Sequence, residues 1–312
     1  MALPGLASPP TSSPPRRRVS GLWPALAAPG ILWLLLFFVA PIYVVLSIVF
    51  GQIDPIFRTP VPVWNPLQWN PSQFSYVLTH IVGPEGVYGP ALLRTAVFVL
   101  TASVLCLLIA FPIAYYVARL AGQWRGILLA LLIAPFWISY MMRMLAWVNL
   151  LQDDGLVNKL LGLGGLFHPQ IVWLTGQPVV VILGLVYGYV PYMILPLYAG
   201  LDRLPQSTLE ASRDLGADRL SSFVRVTLPL CRPTIIAAVL LTCLPMLGDY
   251  FTSDLLSASP KTAMVGNLIN DSVQAPGQTG QAGAFVMLVL IVALLPMLYY
   301  VRVMSRPDEV AS

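Results

Sequence analysis

Residues 204–233 read LPQSTLEASRDLGADRLSSFVRVTLPLCRP and lie between two long apolar runs. Charged residues are interleaved here with leucines, a pattern that predicts a short amphipathic helix. We expect Ser207 or Thr208 to cap this helix, because both are good N-cap residues. Glu210 and Asp214 are expected early in the helix, where carboxylates suit the positive end of its dipole.

A second short element is predicted over 221–227. It is expected to stop at Leu228-Pro229, where a proline can end one helix and open the next. By composition alone, an ordinary amphipathic loop at a lipid surface is the favoured interpretation of the whole stretch. The sequence on either side therefore has to establish what kind of protein carries it.

The composition is that of a membrane protein. Of 312 residues, 57% are hydrophobic and 10% are charged, and the mean hydropathy is +0.78. Soluble domains carry about 25% charged residues, and a single soluble core stops growing near this chain length. The net charge of +4 does not indicate a nucleic-acid partner, since the arginines fall in short loops between apolar runs. The lipid bilayer is the expected environment.

Six apolar runs are long enough to cross a bilayer, for which about 20 helical residues suffice. They lie near 23–50, 91–118, 126–151, 178–201, 232–256 and 282–304. Backbone groups in lipid must be satisfied within the segment, so each run is predicted to be a helix. The fold class is therefore an all-α integral membrane protein with six transmembrane helices, kinked at internal prolines such as Pro135 and Pro245.

The basic residues predict the orientation. With residues 1–23 placed inside as a disordered basic tail, twelve Lys and Arg residues face the cytoplasm and four face outward, with Arg143 inside a helix. Both termini are then cytoplasmic, and residues 307–312 form a second cytoplasmic tail. The membrane domain is predicted to span 24–306 in a plasma (inner) membrane.

The central stretch resembles the EAA signature of permease subunits in bacterial ATP-binding-cassette (ABC) importers. The matching positions are Glu210, Ala211, Gly216, Leu228, Pro229 and Pro233. Two positions depart from the family pattern, namely Ser212 for the second alanine and Val226 for the usual isoleucine. Both changes are small, and the match lies in the expected topological place.

The resemblance implies a type I ABC importer permease fold with a cytoplasmic coupling helix inside a coupling segment at about 203–231. A short rigid helix rooted in two spans can transmit a rigid-body movement from an ATPase. Gly216 would supply a tight bend. The residues implied to couple to the ATPase are Glu210, Ala211, Arg213, Asp214, Gly216, Ala217, Leu228 and Pro229.

The resemblance extends to the spermidine/putrescine-type permeases, and to the first of their two permease subunits. It is carried by Pro135–Tyr140 with Arg143 and Trp147, by Gly155–Asn158, by Leu247–Phe251 and by Met264–Ile269. It implies a polyamine as the solute, with another small nitrogenous or phosphonate solute as the alternative.

The implied partners are a second permease subunit, two nucleotide-binding ATPase subunits and an extracytoplasmic solute-binding protein. The chain has no Gly-rich phosphate loop of its own. No cofactor is therefore expected in this chain, and the partner ATPase would bind ATP and Mg²⁺. His80 and His168 have no companion ligands and do not indicate a metal site, and the three cysteines are expected to be buried and free.

Ionisable and aromatic residues near the ends of two spans suggest a solute pathway, since charges inside a membrane are costly. The candidates are Asp249, Asp254, Tyr250, Trp137, Tyr140, Arg143 and Trp147. Counted along straight helices, Arg143 and Asp249 lie at a similar depth of roughly 24 Å. They are predicted either to neutralise each other or to leave a carboxylate free for a cationic amine, with aromatic faces around it.

Two other classes of protein remain as alternatives. An intramembrane aspartyl protease would use Gly248-Asp249, but Met246 stands where that motif has glycine, and no other hydrolase motif is present. An ATP-independent secondary carrier would have no use for a coupling-helix signature.

Overall fold

The computed structural model describes residues 22–82, 86–163 and 171–304. Nearly all of the tail predicted for 1–23, the tail at 307–312 and His168 lie outside these residues. The helices are α1 Leu22–Leu34, α2 Ala40–Val49, α3 Ser72–Val82, α4 Tyr88–Arg119, α5 Arg125–Ile133, α6 Tyr140–Leu151, α7 Leu156–Leu163, α8 Pro178–Asp202, α9 Gln206–Asp214, α10 Arg219–Ser222, α11 Leu228–Leu247, α12 Phe251–Leu256, α13 Val265–Gln274 and α14 Thr279–Met304. A two-stranded hairpin pairs β1 Gln52–Ile53 with β2 Pro60–Val61.

Five helical segments within the described residues are long and apolar enough to cross a membrane. They are Leu26–Val49, Tyr88–Arg119, Pro178–Asp202, Arg219–Leu247 and Thr279–Arg302. A sixth crossing is formed if the bent pair Gly122–Trp137 and Tyr140–Gly162 counts as one span. The prediction of an all-helical membrane fold with six crossings is confirmed.

The third predicted span, 126–151, is a broken helix. Its first part ends in a 3-10 turn, Ala134–Trp137, which contains Pro135. Ile138 and Ser139 are extended, and the next helix leaves at an angle of 84°. The straight helix assumed for Arg143 is therefore absent, because the proline interrupts the helix instead of only kinking it.

The fifth predicted span, 232–256, ends nine residues early, at Leu247. Asp249 follows the helix, and Asp254 lies in the separate short helix α12. The Asp249 carboxylate accepts a hydrogen bond from the backbone N–H of Thr252 at 3.1 Å, which is the geometry of a helix start. The start of α12 was not predicted because it lies within a long apolar run, and a count of hydrophobic residues does not detect one polar side chain that bonds to the backbone.

The stretch after α9 also differs from the prediction. Residues 219–247 form one continuous helix, so the predicted stop at Leu228-Pro229 is wrong. A π-helical turn, Phe223–Thr227, precedes the proline. Pro229 has no N–H to donate to the carbonyl four residues back, and a locally widened turn is a known way for a helix to accommodate such a loss.

The core lies where α4 packs along α8 and α11. Buried residues recur every fourth position in α4, a spacing that keeps them on one helix face. They are Phe98, Ala102, Cys106, Ala110 and Ala114. Most are small, so the backbones of neighbouring helices can approach closely, as membrane helix pairs require. All three cysteines are free.

Candidate functional site

Two sites follow from the fold, one at each end of the bundle. The first is the EAA-like helix α9, which begins at Gln206 after Pro205 and has no side-chain cap. The predicted caps, Ser207 and Thr208, lie inside the helix instead. Asp214 is its last residue and not an early one. The helix begins two residues before the expected position because Pro205 readily precedes a helix start.

Gly216 ends α9 in a left-handed conformation. Its φ is +87°, its N–H donates to the carbonyl of Arg213 at 2.9 Å, and the N–H of Ala217 donates to the carbonyl of Ser212 at 3.1 Å. This pair of bonds is the Schellman arrangement, which satisfies the last carbonyls of a helix and favours glycine at the turning residue. The glycine of the signature therefore fixes the exit direction of the chain from α9.

Ser212, which replaces an alanine of the family pattern, has a structural role of its own. Its Oγ lies 2.6 Å from the Oγ of Ser222 and donates to the carbonyl of Leu209 at 2.8 Å. The first contact ties α9 to α10, and α10 continues into the long helix that reaches Leu247. The departure from the signature thus adds a bond between the EAA-like helix and the fifth span.

A second tie joins α4 to the start of the coupling segment. Arg119, the last residue of α4, donates to the carbonyls of Leu201 and Leu204 at 2.7 and 2.8 Å. The guanidinium thereby joins the end of α4 to the end of α8 and to the turn that follows it. Nearby, Arg125 and Asp202 form an exposed ion pair at 3.5 Å.

Most of the residues implied to couple to an ATPase are accessible. Glu210, Ala211, Arg213, Asp214, Gly216, Leu228 and Pro229 are exposed, and Ala217 is partly exposed. Leu215, beside them, is 89% exposed. An ordered short helix with an exposed leucine and charged neighbours is a suitable surface for a protein partner.

The second site lies at the opposite end, around the Asp249 carboxylate, which is 6% exposed. Tyr140 Oη donates to Asp249 Oδ2 at 2.7 Å, and Thr252 Oγ1 donates to the same oxygen at 2.6 Å. Together with the backbone bond from Thr252, the two carboxylate oxygens have three donors. Asp249 is thereby satisfied within the chain, as a buried carboxylate must be.

Arg143 lies beside this group but does not form an ion pair with Asp249 in the structure. Its side chain is 6% exposed, and its guanidinium lies 5.4 Å from the ring centre of Tyr140 and 5.6 Å from that of Phe136. Its Nε has no hydrogen-bond partner. Aromatic faces, and not a carboxylate of the described residues, therefore receive this charge.

Asp254 lies in a different environment. It lines a cavity of about 540 Å³ together with Arg94, Asn267 and Asp271. The amide of Asn267 donates to the Asp254 carboxylate, and Arg94 donates to the carbonyls of Pro260 and Ala263. Burial raises the pKa of Asp254 above its usual value, and the Asn267 hydrogen bond opposes that rise only in part.

The predicted aromatic residues are divided among three places. Trp137 is 89% exposed. The ring of Trp147 packs against the ring of Tyr187, with 5.4 Å between their centres. Tyr250 lines an apolar cavity of about 510 Å³. The aromatic residues of α8, which pack around the broken span, were not among the predicted pathway residues. These are Tyr187, Tyr189 and Tyr192. Three tyrosines within residues 187–192 could have indicated an aromatic cluster, but hydropathy alone treats this segment as part of an ordinary membrane span.

No group of three or more His, Cys, Asp or Glu side chains suited to a metal ion occurs among the residues that the structure describes. His80 Nδ1 contacts the carbonyl of Tyr76 at 2.8 Å, one turn earlier in α3.

The fold and the exposed EAA-like helix are those of a membrane subunit of a solute transporter. Residues 107–303 match the family described as the binding-protein-dependent transport system inner membrane component. The chain belongs to this family, and it is therefore a multi-pass transport subunit.

Two curated relatives have a more specific name, the spermidine/putrescine transport system permease protein PotB. The protein of Escherichia coli K12 is 38% identical over 192 residues, which are 61% of this chain and 68% of that protein. The protein of Haemophilus influenzae is 32% identical over 272 residues, which are 86% of this chain and 89% of that protein.

Solved structures share the fold. A bacterial ABC transporter that imports the acidic polysaccharide alginate aligns with a TM-score of 0.66 and 22% identity, covering 92% of this chain and 96% of that one. At this identity the likeness concerns the fold alone.

Proposed function

We propose that this chain is one of two permease subunits of an ATP-driven importer of polyamines such as putrescine and spermidine. Membership of the transport family supports the importer, and the naming of both relatives for spermidine and putrescine supports the solute. The observation that carries the mechanism is the exposed helix α9, which is closed by the Gly216 turn and bonded to the fifth span through Ser212 and Ser222. An enzyme or a self-sufficient carrier would have no need of this helix.

The full transporter contains a second permease subunit, two ATPase subunits that bind ATP and Mg²⁺, and an extracytoplasmic solute-binding protein. This chain binds neither nucleotide nor metal. The family description, which specifies dependence on a binding protein, supports the last partner. Helix α9 faces the cytoplasm together with both termini, because that end carries most of the arginines.

Movement reaches the solute pathway along one helix. The segment Arg219–Leu247 runs unbroken from the coupling segment to the residues before Asp249. At about 1.5 Å per residue it is about 40 Å long, comparable with the thickness of a bilayer. A displacement of α9 when the ATPase subunits close would therefore shift Asp249 and its bond to Tyr140, because a packed helix moves as a rigid body.

The pathway crosses the region of the broken third span. Asp254, with its accessible cavity, is the better acceptor for a protonated amine, whereas Asp249 is already fully bonded. Trp137, Tyr140, Trp147 and Tyr250 offer aromatic faces for cation–π contact. Arg143 and Asp249 hold the broken span in place.

The test is uptake of labelled putrescine and spermidine by the reassembled transporter in proteoliposomes, with unlabelled competitors. Uptake that requires ATP and the binding protein, and that is lost when Glu210–Gly216 is disrupted, supports both mechanism and solute. ATP hydrolysis without polyamine uptake would leave the importer and reassign the solute. Uptake indifferent to ATP would refute the proposal.

A further inference from the structure

A cavity of about 560 Å³ lies between the end of α4 and the two short helices of the coupling segment. We call it the basic cavity and define it by its lining residues Arg213, Arg219, Thr227, Leu120, Leu220 and Phe223. Arg213 belongs to α9 and Arg219 to α10, so both helices contribute an arginine to one open cavity.

Among the residues that the structure describes, no carboxylate pairs with the charges of the basic cavity. No aspartate or glutamate lines it. Arg213 and Arg219 form no ion pair with any carboxylate of the described residues. Two guanidinium groups lining one cavity favour an anion there, and the fork of Arg suits two oxygens of a phosphate group particularly well.

Thr227 provides an independent indication of a missing ligand. Its side chain is 1% exposed and lines the cavity, yet its Oγ1 has no hydrogen-bond partner. A buried hydroxyl without a partner costs free energy, and such groups are uncommon in native structures. A ligand oxygen in the cavity would accept the bond that Thr227 can donate.

The rest of the cavity wall is mostly apolar, with Leu120, Leu209, Leu220 and Phe223 beside Tyr115 and Ser222. Leu120 and Leu220 are 66% and 69% exposed. A small hydrated anion gains nothing from exposed leucines, whereas the glycerol and acyl parts of a phospholipid can pack on them. The combination of arginines, a buried hydroxyl without a partner and exposed leucines is typical of an anionic headgroup site.

We propose that the basic cavity binds the phosphate group of an anionic phospholipid, phosphatidylglycerol being the simplest example. The lipid lies in the cytoplasmic leaflet, given the orientation proposed above, and bridges α9 and α10. It stiffens the segment that the ATPase moves, and the transporter therefore depends on lipid charge. This inference concerns lipid and not solute, and it holds whichever solute is carried.

The experiment is native mass spectrometry of the complete, delipidated transporter titrated with phosphatidylglycerol, phosphatidylcholine or inorganic phosphate. The variants are Arg219→Gln, Thr227→Val and Thr227→Ser, and Arg225→Gln is the matched control. Arg225 is exposed and lies in the same helical turn as Thr227, but it does not line the cavity.

We expect a phosphatidylglycerol site that phosphatidylcholine does not fill. Arg219→Gln should weaken it about fivefold, as removal of one arginine from a headgroup site does. Thr227→Val should also weaken binding, whereas Thr227→Ser and Arg225→Gln should leave it unchanged. Equal retention of both lipids, or an equal loss in Arg225→Gln, would overturn the proposal. Displacement of the lipid by millimolar inorganic phosphate would also overturn it and identify a free anion as the ligand.

Discussion

Tyr140 Oη donates a hydrogen bond to Asp249 Oδ2 at 2.7 Å and thereby joins the second half of the broken third span to the end of the fifth. The two residues are 109 positions apart in the chain. Helix α6 begins at Tyr140, and α11 ends at Leu247, two residues before Asp249. The bond therefore fixes the break in the third span relative to the end of the fifth. It also links a movement of the end of the fifth span to the broken span.

Replacement of Tyr140 by Phe should destabilise the protein. The ring still packs, but the buried Asp249 carboxylate loses one of its three donors, and a hydrogen bond to a charged group contributes about 1.5–3 kcal/mol. Thermal unfolding of the purified protein would measure the loss. Tyr299→Phe is the control, because Tyr299 is 72% exposed. If both variants unfold at the wild-type temperature, the bond does not contribute to the stability of the protein.

Gly188 should tolerate no larger residue. A Cβ built at this position would lie 2.6 Å from Cε2 and 2.9 Å from Oη of Tyr140, so the ring would have to move away from Asp249. We expect Gly188→Ala to cost about 1–3 kcal/mol, as overpacking does, and to lower uptake. Gly126→Ala is the control, since nothing lies within 4 Å of its added Cβ. Equal uptake by the two variants would contradict the expected role of Gly188.

Gly216 should be sensitive to backbone strain and not to size. Its φ of +87° is unfavourable for most residues, but a Cβ there would meet nothing within 4 Å. Gly216→Val should therefore cost at least about 1–2 kcal/mol in the turn, whereas Gly216→Asn should cost less, because Asn adopts left-handed conformations more readily. ATP-driven uptake should follow the order Gly, Asn, Val. Equal activity of the two variants would show that the turn is not required.

Arg119 should be needed for coupling. Arg119→Gln removes two short bonds to the carbonyls of Leu201 and Leu204, and the start of the coupling segment loses its tie to α4. We expect the ratio of solute transported to ATP hydrolysed to fall. Arg125→Gln, which removes only the exposed pair with Asp202, should change little because exposed ion pairs contribute about 0–1 kcal/mol. An unchanged ratio in Arg119→Gln would refute this role.

Asp254 and Asp249 should respond differently to removal of charge. Asp254→Asn should raise the KM for a cationic solute without loss of stability, since Asp254 is exposed to its cavity. Asp249→Asn should instead lower the unfolding temperature. Burial raises the pKa of Asp254, so lowering the pH protonates it sooner than an ordinary aspartate, and uptake should decline accordingly. A KM unchanged in Asp254→Asn would remove this residue from the pathway.

The sequence by itself determined the membrane fold and the place of the EAA-like helix. Long apolar runs have one stable form in lipid, because every backbone group must be satisfied within the helix. The EAA-like spacing, with Gly216 at its turn, likewise depends on local backbone geometry. These features involve residues close in the chain, and their patterns are therefore visible in it.

The tertiary structure alone decided where the charges go. Straight spans were expected to let Arg143 pair with Asp249, but with the break after Pro135 and the Asp249 bond to the first turn of α12 both residues lie beside Tyr140 without an ion pair between them. The carboxylate took Tyr140 and Thr252 as donors, and the guanidinium lies against aromatic rings. The partners of a buried charge are chosen by which side chains packing brings within about 3 Å, and no spacing along the chain specifies that distance.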